Sequence, residues 1–459
     1  MSLFHRHPPP SDLFSLYAMT LDVEKARSQF PALKSGFVFA DNAGGSQTAV
    51  GVADRIYDYL LNTNVQLGAD YSVSVLSTQK VTIQAPEDAA KLINASSPDE
   101  IVFGSSSSAN MENLARSLDG DIHQGDEFIL TGEHEANNGP FKKLAGRTGA
   151  VIKYWNATPT SPNNPYSVSL KIEDLLPLIT ARTRIIAFTA CSNILGSIVP
   201  VKAIVKAARL TAQEAGARKV EISIDCVAYA PHRLINVQDW DIDYCVFSYY
   251  KVYGPHTSVL YVRAPALQHS LSSIVHHFLN VKHSAAKLQI GGPGYELVYG
   301  TTGVIPYLLS LTPENNLKAS FEAIAKHEQT LVEPLLAYLT HADQQARGVR
   351  VVGEEYPGLM RVPTISFVVV GERPMKSKDV VKVFDQKGGV CCRSSVSHFV
   401  LKSILQVGIR YGHFYAYTLV DGLQPKLDID DGVVRISLVH YNTVEEVQRI
   451  ISILKEALA

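Results

Sequence analysis

The sequence predicts an α/β protein: one large, mostly parallel sheet with helices on both faces, followed by a smaller α+β unit. Three observations point to it. At 459 residues, 46% apolar and 19% charged, the chain exceeds one ordinary domain and supplies a sizeable core. Between about residues 90 and 265, short apolar runs alternate with segments long enough for crossover helices, the rhythm of a parallel sheet. Beyond residue 310 the pattern changes to two strand-like runs, TISFVVVG and GVVRISLVHYN, each followed by an amphipathic helix, SKDVVKVFDQKG and TVEEVQRIISILKEAL. The expected division is a large unit over 45–310, a small C-terminal unit over 311–459, and an N-terminal segment, 1–44, packed on the small one. HRHPPPSD near the start reads as disordered.

A net charge of -2 gives no reason to expect nucleic acid or an anionic membrane as partner. No apolar run is long enough to span a bilayer, and the N-terminus lacks a basic stretch leading into an apolar one, so a cytoplasmic enzyme is the default. Five cysteines without CxxC spacing suggest neither a disulfide framework nor a zinc site, and no metal is expected.

In such sheets ligands lie beyond the carboxyl ends of the strands, so the strand ends are read in order. EIVFG runs into SSSSANMEN, where Ser105 and Ser106 open a helix; a serine run there is either a plain N-cap or a phosphate-binding turn. DEFILT is followed by GEHEAN, which places His134 where an imidazole either packs structurally or stacks on a flat ring. RTRIIAFTACSN brings Asn193 to a comparable position. EISIDCVAYAPH ends on Asp225, which serves an Asx-turn or pairs with a buried cation. YCVFSYYKVYGPH carries Ser248 at its end and then Lys251, a lysine among aromatic and apolar neighbours that must either snorkel to water or have its charge managed chemically.

Snorkelling explains Lys251 alone; it predicts none of the other features. A phosphate-binding turn, a ring stacker, a buried carboxylate and a strand-end lysine, each on a different strand, together describe a pyridoxal phosphate pocket. The lysine forms a Schiff base with the aldehyde and needs a depressed pKa to be available as nucleophile. The carboxylate keeps the pyridine nitrogen protonated so that the ring withdraws electrons.

EHEAN, CSNILG, IDCVAYAPH and SYYKVYGPH resemble the motifs of the class V aminotransferase family, fold type I, and in particular its cysteine desulfurase-like branch. The resemblance runs from FVFADNAGGSQ to VVRISLVHYNTVEEV. It implies Lys251 as Schiff-base lysine, Asp225 as pyridinium partner, His134 as ring stacker, and Ser105, Ser106 and Ser248 as phosphate contacts, with Asn193 beside the cofactor. It further implies a homodimer in which Thr301 or Thr302 of YGTTG reaches the other subunit's phosphate, and an amino acid substrate whose carboxylate is held by Arg435. Arg410, Asn42 and Tyr71 fall on the substrate side, Tyr71 adding an aromatic group to the mouth.

Departures from the pattern direct the functional expectation. Desulfurases carry a nucleophilic cysteine in a loop that matches GIRYGHFYAY, where Tyr415 stands in its place. Cys391 and Cys392 lie upstream in an apparent insertion and could substitute only by folding over the pocket. Tyr250 replaces a frequent histidine before the lysine, and Ala228 a frequent glutamine after the aspartate. The expectation is an enzyme that generates a quinonoid carbanion from an amino acid and forms a carbon–carbon bond, a Mannich-type cyclisation of alkaloid biosynthesis. Cysteine desulfuration or C–S cleavage, a decarboxylative aldol-type reaction, and a non-catalytic cofactor-binding role stay open beside it.

Overall fold

The computed structural model describes residues 21–387 and 406–459. Seven strands form the large sheet: β2 (Ile101–Gly104), β3 (Glu127–Thr131), β4 (Val151–Trp155), β5 (Thr183–Thr189), β6 (Glu221–Asp225), β7 (Tyr244–Ser248) and β8 (Ser258–Val262), after a short β1 (Val38–Phe39) outside it. Their spatial order is β2-β8-β7-β6-β5-β3-β4, all parallel except β8, which runs antiparallel to both of its neighbours. The sequence reading omitted β8. A strand that returns directly after the lysine turn has no crossover helix before it, so the alternating rhythm does not reveal it.

Side chains alternate between the two faces of each strand. Ile222, Ile224, Ile186 and Phe247 enter one core with Ile204, Val205 and Ala208 of helix α3 (Val201–Glu214). Ile185, Ala187, Val246 and Leu130 enter another with Met111 and Leu114 of helix α1 (Ser107–Ser117) and Phe141 and Leu144 of helix α2 (Glu135–Thr148). Each such side chain contributes about 1.5–3 kcal/mol by burial. The alternation that sends Ile222 and Ile224 towards α3 sends Asp225 to the face carrying α1 and α2.

A second, antiparallel sheet has the order β9-β10-β13-β12, from β9 (Val349–Val352), β10 (Thr364–Val369), β12 (Arg410–Gly412) and β13 (Val433–Ser437). Helices α4 (Leu317–Leu339) and α5 (Val444–Ala457) pack Leu335, Leu339, Val447 and Ile450 on its core residues Val351, Phe367, Val434 and Ile436. The N-terminal segment touches both sheets' cores: β1 pairs in parallel with β11 (Val407–Gly408), while Phe30 packs between Tyr307 and Tyr441. Among the described residues no helix is long and apolar enough to cross a membrane. The N-terminal HRHPPPSD and Cys391 and Cys392 lie outside the described residues.

Candidate active site

The carboxyl ends of β3, β5 and β7 converge with β12 and β13 on a pocket of about 540 Å³ lined by His134, Asn193, Tyr250, Lys251, Arg410, Phe414, Tyr415 and Arg435. Lys251 closes a single helical turn directly after β7 and is 5% exposed. Its Nζ makes no hydrogen bond or ion pair with a described residue and lies 5.9 Å from the Tyr250 ring. Burial, reinforced by Arg435 and opposed by Asp225, pushes its pKa down to about 8. Snorkelling is therefore not its role here. Asp225 is the last residue of β6; its Oδ1 accepts the Val227 N–H at 2.9 Å, and Oδ2 makes no hydrogen bond with a described residue. Burial raises its pKa, against the Val227 N–H and the Lys251 charge. A cation placed against Oδ2 would keep it ionised.

His134 is the N-cap of α2, with Nδ1 accepting the Ala136 N–H at 3.1 Å. Burial, then Lys251 and Arg435, push its pKa down to about 3, so the ring is neutral with its proton on Nε2. Tyr415 sits over it, ring centroids 5.5 Å apart. The loop bearing Tyr415 is pinned to the turns that carry His134 and Asn193: the Glu135 N–H donates to the Tyr415 carbonyl at 2.8 Å and Asn193 Nδ2 to the Phe414 carbonyl at 3.0 Å. These bonds hold Phe414 and Tyr415 at φ of 49° and 62°, a left-handed pair that costs non-glycine residues of the order of 1 kcal/mol each. Arg435, 2% exposed, donates to Asp41 Oδ1 at 2.9 Å and to the Asn193 carbonyl at 3.2 Å, with Phe414 3.7 Å beneath its guanidinium. Burial lowers its pKa to about 10, opposed by Asp41.

Several sequence-predicted residues take other places. Ser105 is exposed, and Ser106 is the N-cap of α1, its Oγ accepting the Ala109 N–H at 3.1 Å. The hydroxyl that meets Ser248, at 2.6 Å, is that of Ser107, and Ser108 lines the pocket. Gly104 makes the approach of α1 feasible, since a Cβ there would lie 2.0 Å from Asn110 Oδ1. Asn42 is not in the pocket: its amide bonds Phe39, Ser437 and Asn442 and accepts from Tyr441, tying the N-terminal segment to β13. Tyr71 is 53% exposed at the start of the helix Ser72–Thr78, away from the pocket lining. The hydroxyls of Thr301 and Thr302 are turned back onto the carbonyls of Val298 and Tyr299, and neither lines this chain's own pocket. The sequence reading missed Asp41 and Glu133. Glu133 is buried, accepts from Ser192 Oγ at 2.8 Å, and is pushed up to about 7 by burial. It braces the His134 turn against the Asn193 turn. A buried arginine's need for a counter-ion is the signal that could have pointed to Asp41.

The family model described as aminotransferase class-V matches residues 38–450. The chain belongs to this family. An aminotransferase-like protein, FGM3, of Gibberella zeae is 43% identical over 96% of this chain and 99% of its own. A cysteine desulfurase-like protein, ustD, of Aspergillus flavus is 30% identical over 95% of this chain and 90% of its own. Among solved structures, the cysteine desulfurase of Thermococcus onnurineus superposes with a TM-score of 0.76 at 22% identity, covering 96% of this chain and 98% of that one, which shows the shared fold. That fold is the fold type I architecture of pyridoxal phosphate enzymes, and class V members depend on this cofactor.

The residues present fit it. Asp225 Oδ2 and Lys251 Nζ are both without hydrogen bonds to described residues, and Ser106, Ser107 and Ser108 gather at the N-terminus of an eleven-residue helix, where unpaired N–H groups and the dipole favour a phosphate. The lowered Lys251 pKa gives a direct check. The lysine is cationic below about 8 and neutral above, so capture of pyridoxal phosphate by cofactor-stripped protein should rise about tenfold from pH 7 to 9 and level off there. A rate still climbing steeply at pH 10 would mark an ordinary, solvated lysine.

Proposed function

We propose that this class V enzyme forms a carbon–carbon bond on an amino acid substrate, of the intramolecular Mannich type, in natural-product biosynthesis. The observation that carries the reading is Tyr415 at the pocket mouth, where a desulfurase would present its thiol. The described cysteines, Cys191, Cys226 and Cys245, are all buried, and burial drives the pKa of Cys191 and Cys226 up, so none of these thiols is a reactive nucleophile. The likeness to fungal proteins over nearly the whole chain agrees with a specialised metabolic role.

Bound in this pocket, the cofactor supplies an aldehyde that condenses with amines and a pyridinium ring that withdraws electrons from the substrate's α carbon. Lys251 anchors it and, with its lowered pKa, takes and returns a proton at Nζ near neutral pH. Asp225 would hold the proton at the ring nitrogen, Ser107, Ser108 and Ser248 would hold the phosphate, and neutral His134 would stack on the ring without adding charge. Arg435 grips the substrate carboxylate and so orients the bond to be broken. Phe414, Tyr250 and Tyr415 wall the mouth with aromatic surface, which excludes water and favours a cationic, iminium-like electrophile.

The enzyme works as a cytoplasmic homodimer in this reading. Tyr57, Leu61, Tyr71 and Leu76 are exposed on neighbouring helices, an apolar face suited to a second subunit, which would bring its Thr301 and Thr302 to the phosphate.

The test is cysteine. Replacing Cys391 and Cys392 together by alanine should leave turnover of the natural substrate within about tenfold, a barrier change below about 1.4 kcal/mol. Tyr415→Phe should cost about a hundredfold if its hydroxyl positions or protonates the reacting group. A dead double-cysteine variant, together with sulfide release from cysteine by the wild type, would replace this reading with a desulfurase whose nucleophile has moved.

A further inference from the structure

We propose that Asp41 is a specificity-determining residue: a built-in carboxylate that holds the Arg435–Arg410 pair to one net positive charge and so restricts it to one incoming carboxylate. The proposal rests on the reading of Arg435 as the group that holds the substrate carboxylate. Arg435 and Arg410 face each other across β13 and β12. Asp41 bridges them, with Oδ1 2.9 Å from Arg435 Nη2 and Oδ2 3.3 Å from Arg410 Nε. The two arginines differ in environment, their side chains being 2% and 53% exposed. A charge as deeply buried as Arg435 requires a partner, and Asp41 is the partner the fold provides.

The donor count on Arg435 limits what else it can hold. A guanidinium offers five N–H groups. One goes to the Asn193 carbonyl and one to Asp41, while Nε is buried without an acceptor among the described residues. One N–H remains on each terminal nitrogen, enough for a single carboxylate in fork geometry. Phe414 covers a face of the guanidinium at 3.7 Å. Asp41 itself is held in place: its backbone bridges Ser437, and its carbonyl accepts the Gly44 N–H at 2.9 Å. A Cβ at Gly44 would lie 2.9 Å from Asp41 Oδ2, so the glycine leaves room for the carboxylate where it stands. A substrate with a second carboxylate at this end would meet Asp41 as a like charge, between two arginines one of whose charges Asp41 already offsets.

Asp41→Asn keeps the shape and removes the charge. Calorimetric titration of the holoenzyme with propionate and succinate should show the wild type binding propionate at least as tightly as succinate. Asp41→Asn should shift the ratio of the two affinities by tenfold or more towards succinate. A wild type that prefers succinate, or a variant in which both affinities change by the same factor, overturns the proposal. Should Asp41→Asn fail to fold, the exposed Arg410 provides a second arm: Arg410→Gln removes one of the pair's two positive charges and should weaken propionate binding tenfold or more, and a change under twofold overturns the proposal. If the wild type binds neither propionate nor succinate, the reading of Arg435 falls with it. If propionate binding responds but the ratio does not, only the role of Asp41 falls.

Discussion

Lys251→Ala should abolish turnover and leave the cofactor, where it still binds, without a covalent attachment to the protein. Borohydride should fix pyridoxal phosphate irreversibly to the wild type, through a carbon–nitrogen bond at Lys251 Nζ, and leave the variant unlabelled by intact mass measurement. The expected effect is large because the proposed function rests two tasks on this one nitrogen: anchoring the cofactor and carrying a proton at the reacting carbon. Its position allows both. It is buried, bears no hydrogen bond to a described residue, and is held near a pKa of 8 by burial and Arg435 against the pull of Asp225. A labelled alanine variant would place the anchoring amine elsewhere in the chain.

Asp225→Ala should reduce turnover by about two to three orders of magnitude, the scale seen when a group that stabilises developing charge is removed from a closed site. Without the carboxylate the ring nitrogen has no partner to hold its proton, and a neutral pyridine withdraws electrons poorly. Asp225→Glu should recover little, because the strand end fixes Oδ1 on the Val227 N–H and a longer side chain displaces the other oxygen. Cofactor affinity should fall with activity, measurable by equilibrium dialysis. Near-normal turnover in Asp225→Ala would make this carboxylate a turn residue.

The parts of this site that a sequence displays are those that local geometry determines. Asp225, Ser248 and Lys251 each follow a short apolar run directly, so a strand-end reading places them without knowledge of the rest. The serine run defeats the same method. Four identical residues carry no periodicity, and the register of the helix is set by which hydroxyl caps it; Ser106 does so, which turns the Ser107 hydroxyl onto Ser248 and leaves Ser108 lining the pocket. Asn42 and Tyr71 show a different limit. Asn42 bonds Ser437 and Asn442 across about 400 residues, while Tyr71 caps a helix with its side chain exposed, and nothing local tells which way either side chain turns. The partnership of Asp41 with Arg435 is of the same kind, 394 residues apart in sequence. The antiparallel β8 escaped because the reading followed crossover spacing, which a direct return lacks.

The most direct test of carbon–carbon chemistry at this site is mass spectrometry of amino acids incubated with the purified holoenzyme in deuterium oxide, cysteine among them. The account predicts deuterium at the α carbon, or loss of the carboxylate, for at least one amino acid, abolished in Lys251→Ala, with no sulfide and no alanine formed from cysteine. Stoichiometric alanine and sulfide from cysteine, with no exchange or decarboxylation of any other amino acid, would contradict it.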